Sequence, residues 1–392
     1  MTAQTQVLRL TLCQALAVTT NTVLITIAAL IGYALATDKT LATLPLAVRQ
    51  IATMATTIPA SLLMQRIGRR GGFLLGTLVG WIGAGLGIYS LAIAHFWLFT
   101  LAMGLLGVAN GFVGYYRFAA AEVAPDAFRA QAISWVIAGG IVAAVLGPWL
   151  ATQSQGWFNS ELYIGAMVAV LGLQVLSSGL LLGLQTPILA ATDAEAATHP
   201  LRELMGPKFW IATLGSMVGY GIMVFVMTAT PLAMAAQQHS FGQTATVIQW
   251  HVLGMFGPSL VTGWLIQRFG VLTMIQVGGL LMLGCMGINS VGNSFGHFTI
   301  ALLLLGLGWN FMYVGSTALL TETHRPAEKG KVQAAHDFLV LSFVALATLL
   351  SGRVFARFDW AMLNQLSWPL VLCSCLAVLW LQTQTRRPQP LQ

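Results

Sequence analysis

Charge is what this sequence has least of. Of its 392 residues only 7% are Asp, Glu, Lys or Arg, while 57% are hydrophobic. An ordinary soluble domain carries roughly 25% charged residues, so a water-soluble enzyme is excluded. Cysteine is scarce too. Cys13, Cys285, Cys373 and Cys375 all fall within apolar runs. Cys373 and Cys375, two apart on a helix, point different ways, and neither a disulfide framework nor a metal site is expected. The phosphate-cradling G-x-x-x-x-G-K-[ST] loop is absent, as are H-E-x-x-H and C-x-x-C. No polar stretch is long enough to house catalysis. The chain is therefore expected to be no enzyme and to hold no cofactor and no metal.

What the sequence has in abundance is apolar runs near the ~20 residues that cross a bilayer. Lipid offers the backbone no hydrogen-bond partners, so such runs must be helices. Twelve can be drawn: 8–36, 41–64, 72–94, 96–121, 130–152, 161–185, 209–235, 243–267, 271–292, 296–321, 332–356 and 360–382. The fold class is an all-α membrane protein. The first run is longer than the ~7–15 residues of a signal-peptide core and is expected to be retained. The long polar connector, Gln185 to Lys208, separates two six-helix halves. The expected division is thus 1–185, a cytoplasmic linker at 186–208, and 209–392.

The net charge of +7 reflects topology rather than nucleic-acid binding, because the basic residues sit in short loops. With twelve spans both termini share a side. Arg9, Arg66, Arg69, Arg70, Arg129, Arg202, Lys208, Arg268, Arg325, Lys329, Lys331, Arg386 and Arg387 lie there. The rule that basic loops stay inside makes that side cytoplasmic. A multi-pass protein of the cytoplasmic membrane with both termini inside is expected, working as a monomer.

The most informative loop is Ser61 to Arg70, where Arg66, Arg69 and Arg70 surround Gly68 between two apolar runs. Glycine allows a tight reversal there, and the arginines suit anionic headgroups. The pattern returns some two hundred residues later. Gln65-Arg66-Ile67-Gly68 is echoed by Gln267-Arg268-Phe269-Gly270, Glu122 and Pro125 by Glu322 and Pro326, Asn110 by Asn310, and Arg49 by His251. One offset serving every match indicates a duplicated six-helix unit.

The loop, its second copy, the half-repeat and the central linker together resemble the major facilitator superfamily. That resemblance implies two pseudo-symmetric six-helix bundles, with the first, fourth, seventh and tenth helices lining a cavity. Gly139-Gly140 to Gly147-Pro148 in the fifth helix resembles the glycine-proline segment of antiporter members. Two positions depart from the pattern. Gln65 and Gln267 stand where the signature usually has an acid. The arginine expected early in the fourth helix of drug–proton antiporters is missing, and the segment reads Leu98-Phe99-Thr100-Leu101-Ala102.

Ionisable groups within spans cost about 2.5–3.5 kcal/mol on insertion scales, so each calls for a reason. Arg117 shares a helical face with Asn110 and Gly114, and either snorkels to the inner surface or clamps an anion. Glu122 is expected to pair with Arg66, Arg69 or Arg70, and Glu322 with Arg268. With Gln65 and Gly68 these form a candidate cytoplasmic gate. Asp337, two turns into the eleventh helix, either supplies the carboxylate that Gln65 lacks or carries a proton. His251, with a pKa suited to proton exchange, is a second coupling candidate. Arg49 and His251 alternatively reach the outer interface. On the cavity-lining helices Asn21, Asn110, Arg117, Tyr220, Thr228, Trp309, Asn310 and Tyr313 are the candidate substrate contacts, against inter-helix bonding for any one of them.

The expected function is secondary active transport of a small organic solute by alternating access, coupled to protons and tilted toward export. The alternatives are proton-coupled uptake of a small organic anion or vitamin-like compound, and a non-transporting membrane sensor on the same fold. The implied partners are a small-molecule substrate, protons and the lipid bilayer, with no nucleic acid.

Overall fold

The computed structural model describes residues 3–125, 129–159, 163–185, 205–323 and 329–385. Its helices are α1 (Ala3–Leu35), α2 (Leu44–Ala92), α3 (Phe96–Val113), α4 (Tyr116–Val123), α5 (Arg129–Gln155) and α6 (Ile164–Leu182) in the first half. The second half has α7 (Pro207–Ala236), α8 (Phe241–Phe256), α9 (Ser259–Phe269), α10 (Val271–Val291), α11 (Phe295–Thr321), α12 (Lys329–Arg357) and α13 (Trp360–Thr385). Twelve spans result if α2 counts twice and α3–α4 and α8–α9 count as one broken span each. Most of the linker, together with Arg202, Arg325, Arg386 and Arg387, lies outside the described residues.

The double-length α2 turns back at Gly68, whose φ of 78° and ψ of 161° are open only to glycine. Gly270, between α9 and α10, adopts φ 87° and ψ 149°. The two copies of the arginine loop therefore share one backbone solution. A second correspondence lies deeper. A Cβ on Gly107 would stand 2.2 Å from the carbonyl oxygen of Arg49, and one on Gly306 would stand 2.3 Å from that of His251. Each half thus crosses its second helix over its fourth at a glycine, because nothing larger allows so close an approach.

The two ends of the molecule differ. On the face opposite the arginine loops the halves meet directly. The Gly352 N–H donates to Thr43 Oγ1 at 3.2 Å, and the rings of Tyr163 and Phe241 lie 5.1 Å apart. Here Leu24, Ile27, Ala28 and Ile31 of α1 are buried beside Leu232 of α7. On the arginine-loop face the ties run within halves. Arg9 donates to the carbonyl of Gly183, Arg69 pairs with Glu122, and Lys208 pairs with Glu322. Between those ends Gly114, Arg117, Phe118, Thr317 and Asp337 are exposed, and the interior opens toward the arginine loops.

Adding a Cβ at Gly68 meets no neighbour, so its effect isolates the backbone strain. Gly68→Ala is expected to cost about 1–3 kcal/mol and lower the thermal midpoint in detergent. Gly85→Ala, in helical backbone with open space around it, should match or exceed the wild type. Equal midpoints for the two variants would contradict this account.

Candidate functional site

Two connected chambers run between the halves. The inner one, about 180 Å³, lies near mid-span and is lined by Asn21, Arg49, Gln50, Tyr220, Thr228, Phe256 and Trp309, among others. The wider one, about 610 Å³, reaches the arginine-loop face past Asn110, Gly114, Arg117, Tyr313, Thr317 and Asp337. Val18 and Asn21 border both. Total space is in the range of small-molecule sites, and the inner lining is mostly apolar with a few polar groups, as such sites require, while polar side chains are frequent in the wider one.

Aromatic rings build one wall of the inner chamber. Trp309 stacks on Tyr313 with centroids 5.3 Å apart and planes at 10°. Tyr220 meets both edge-on at 5.8 and 5.4 Å, and Phe256 meets Trp309 at 6.1 Å. Helical spacing explains the array, since Trp309 and Tyr313 are one turn apart on α11. Rings interlocked in this way hold one another in fixed orientations, and Trp309 presents one indole to the chamber. The opposing polar corner comes from α2. Leu46, Arg49, Gln50, Thr53 and Thr57 follow helical spacing and all border a chamber. Tyr220 interacts with both Gln50 and Arg49 across the boundary between halves.

The structure sorts the expected contacts. Asn21, Tyr220, Thr228 and Trp309 face the inner chamber, and Asn110, Arg117 and Tyr313 the wider one. Arg117 also lies over the Phe118 ring at 4.8 Å. Asn310 does not belong to either lining. It is fully buried, its Nδ2 donating to the Met255 carbonyl and to Ser259 Oγ, both at 2.7 Å, while Thr262 Oγ1 donates to its Oδ1 at 2.6 Å. All of its bonding capacity goes into the break between α8 and α9 at Gly257-Pro258.

His251 is likewise buried, with Nδ1 donating to the Leu302 carbonyl at 2.8 Å, and borders neither chamber. A proton on it has no aqueous route in this arrangement. Neither Arg49 nor His251 reaches the outer interface, because both point into the protein.

The gate residues also divide. Arg69 grips Glu122 with two bonds, Nη2 to Oε1 at 2.7 Å and Nε to Oε2 at 3.1 Å, and both are mostly shielded. A bidentate pair of this geometry is the strong form of the interaction. Gln65, Arg66 and Arg70 are exposed. Glu322 pairs not with Arg268 but with Lys208, at 3.1 Å, where both side chains are about half exposed. Arg268 instead lies over Trp264 and Phe269 of its own helix, at 5.5 and 5.7 Å. Asp337 borders the wider chamber and feels the charge of Arg117 on the other half. Of the loop arginines, Arg69 is engaged by Glu122, as one of the expected pairs.

Gln50 and Phe256 are among the chamber residues that were not singled out as substrate contacts. The polar stripe on α2 carried a signal for Gln50. Nothing in the sequence distinguishes Phe256 from other core phenylalanines.

The profile of the Major Facilitator Superfamily matches residues 10–339. The chain is 36% identical over 374 residues to the riboflavin transporter RfnT of Brucella anthropi, covering 94% of each protein. It is 29% identical to the uncharacterized MFS-type transporter YdeG of Bacillus subtilis, over 91% of this chain and 87% of that protein. Among solved structures, a mutant of the nucleoside transporter NupG superposes with a TM-score of 0.76 at 12% identity, over 95% of this chain and 99% of the other. The human organic anion transporter MFSD10 gives 0.70 at 15%, over 96% and 99%. At such identities these two speak to fold alone.

Asn310 and Asn21 should respond to mutation in opposite ways. Asn310→Ala strands a buried hydroxyl and carbonyl, and is expected to cost about 1–3 kcal/mol of stability with ligand affinity of the folded fraction unchanged. Asn21→Leu should keep the thermal midpoint and weaken binding. Heat-unfolding and equilibrium binding on the two purified variants check both statements.

Proposed function

The chain belongs to the Major Facilitator Superfamily and is a membrane transporter rather than an enzyme; we propose that it takes up a flat, vitamin-like heteroaromatic solute, riboflavin first among candidates, across the cytoplasmic membrane. The observation that carries this reading is the 36% identity to a riboflavin transporter across 94% of both chains. The inner chamber is consistent with it. An indole held in fixed orientation suits a planar ligand, and the polar corner on α2 suits a ring bearing hydrogen-bonding groups. Vitamins are compounds that cells acquire, so uptake takes precedence over the export expected from the segment ending at Pro148.

Transport follows from the two unlike ends. Basic loops mark the open face as cytoplasmic, so the arrangement is inward-open. Each half is tied internally on that face, Arg69 to Glu122 in one and Lys208 to Glu322 in the other. Each bundle can then rock as a unit about the sealed outer end. Asp337 stands in the wider chamber, exposed and opposite Arg117, and is the proposed proton site. Protonating it would weaken its attraction to Arg117 and so bias how readily the halves close over the chamber.

Two measurements test this reading. Cells that lack riboflavin synthesis and their own vitamin uptake, expressing this chain, should grow on low external riboflavin and accumulate the labelled vitamin. Failure at every external pH would sink the substrate assignment. In vesicles, Asp337→Asn should abolish accumulation driven by a proton gradient while sparing exchange of internal for external riboflavin. Equal loss of both modes would make Asp337 a structural residue.

A further inference from the structure

We infer that Arg49 of the first half and Trp309 of the second jointly read the hydrogen-bond-acceptor edge of a flat heteroaromatic substrate. This rests on the inner chamber being the substrate site, as proposed above, and adds which face of the ligand is recognised and by which atoms.

The first observation is a guanidinium without a partner. Arg49 is 3% exposed, and its Nε has no hydrogen-bond acceptor among the described residues. No carboxylate among the described residues lines the inner chamber. A buried cation left so is costly, and proteins normally supply a counter-charge. Nor is the position accidental. Gly107 brings α3 against the Arg49 carbonyl, and Thr53 Oγ1 bonds at 3.0 Å to both the Arg49 and Gly107 carbonyls. The turn that carries Arg49 is clamped while its head group stays unpaired.

The second half provides an internal comparison. At the equivalent crossing, over Gly306, His251 spends its Nδ1–H on the Leu302 carbonyl. The same frame thus holds an imidazole anchored through Nδ1, its Nε2 unpartnered and away from both chambers, in one half, and a guanidinium on a chamber-lining residue in the other.

Trp309 supplies the second free donor. It is 9% exposed, and its indole Nε1–H has no acceptor among the described residues. Its ring is fixed by stacking on Tyr313 and by the edges of Tyr220 and Phe256. Arg49 and Trp309 line one chamber together with Tyr220, which feels the charge of Arg49. Two fixed donors and no fixed acceptor of charge select a ligand that brings acceptors. The fixed indole selects one that is flat. The carbonyl edge of a fused heterocycle, which presents two or more acceptors side by side, meets both demands, whereas a lone ring nitrogen flanked by fused rings does not. A ligand so held bonds to both halves at once, so its binding also bears on how they close.

The test uses full-length protein in detergent with riboflavin, with lumichrome (the same three rings without the sugar-alcohol chain), with a pterin, and with phenazine (three flat rings without carbonyls). Wild-type protein should bind riboflavin and lumichrome and hold phenazine at least about tenfold more weakly. Arg49→Met should weaken riboflavin and lumichrome roughly 10- to 100-fold and leave phenazine unchanged. Arg49→Lys, keeping the charge but not the fork, should fall between, and Trp309→Phe should lose about three- to tenfold while stacking persists. The ligand-free thermal midpoint of Arg49→Met should equal or exceed that of the wild type, since no folded-state partner is lost.

A drop in phenazine binding equal to that of riboflavin, or unchanged riboflavin binding in Arg49→Met, overturns the inference. So does a wild-type protein that binds none of the carbonyl-edged rings. Binding of a pterin or lumichrome but not of riboflavin keeps the inference and sinks the riboflavin assignment instead.

Discussion

Lipid cannot solvate a polar atom, and most of this structure follows from how the chain copes with that. The threonines of α1 turn back on their own helix: Thr19 donates to the Ala15 carbonyl at 2.7 Å, Thr22 to Val18 at 3.0 Å and Thr26 to Thr22 at 2.8 Å. Each hydroxyl thereby sits among apolar neighbours with its donor spent. Other polar groups join helices, as Asn289 does with Asn364 at 2.9 Å and Ser351 with the Phe225 carbonyl at 2.6 Å. Against that background an unpaired polar atom stands out. Asn289 Oδ1, an acceptor, and Trp360 Nε1, a donor, belong to residues beside a hollow on the outer face, Arg49 Nε and Trp309 Nε1 to residues lining the central chamber, and His251 Nε2 with the hydroxyls of Ser216, Ser316 and Ser374 lies within the helix packing.

Duplication supplies the frame and divergence supplies the chemistry. Gly68 and Gly270 reverse the chain in the same way, and Gly107 and Gly306 admit the same close crossing. On this shared scaffold the paired polar residues have parted. Asn110 borders the wider chamber, while Asn310 is consumed in bracing a broken helix. Arg49 lines the inner chamber, while His251 points at a carbonyl. The first half thus gives polar groups of its second and fourth spans to the chambers, and the second half gives the aromatic wall.

The helices, the reversal at Gly68 and the chamber positions of Asn21, Tyr220, Thr228 and Trp309 were legible in the sequence. Each depends on local pattern: an apolar run, a residue type with its own backbone freedom, or a place on a helix named by the family resemblance. The partners of long side chains were not legible. Glu322 finds Lys208, 114 residues away, although the repeat pointed to Arg268. Which cation arrives is decided by how α7 packs beside α11, and no periodicity records that. Asn310 failed for a related reason. Its depth was correct, but the break at Pro258 presents a carbonyl and two hydroxyls only after α8 and α9 have folded against it. Arg49, Gln50, Thr53 and Thr57 have the spacing of one helical face, yet only the packed structure shows that this face borders a chamber.

Arg49 also has an electrical meaning. It is a fixed positive charge near the midplane, beside a space that water can approach from one face while the opposite end is sealed by packed side chains. The transmembrane voltage falls mainly across the sealed part, so the charge lies close to the potential of the open side. If the seal moves to the other end, the charge takes the other potential without travelling any distance. Work of up to about 2.3 kcal/mol per 100 mV is then exchanged with the field. An empty carrier built this way has a resting orientation that the membrane voltage can set. A ligand that brings negative charge to Arg49 would cancel that sensitivity, and a neutral one would leave it intact.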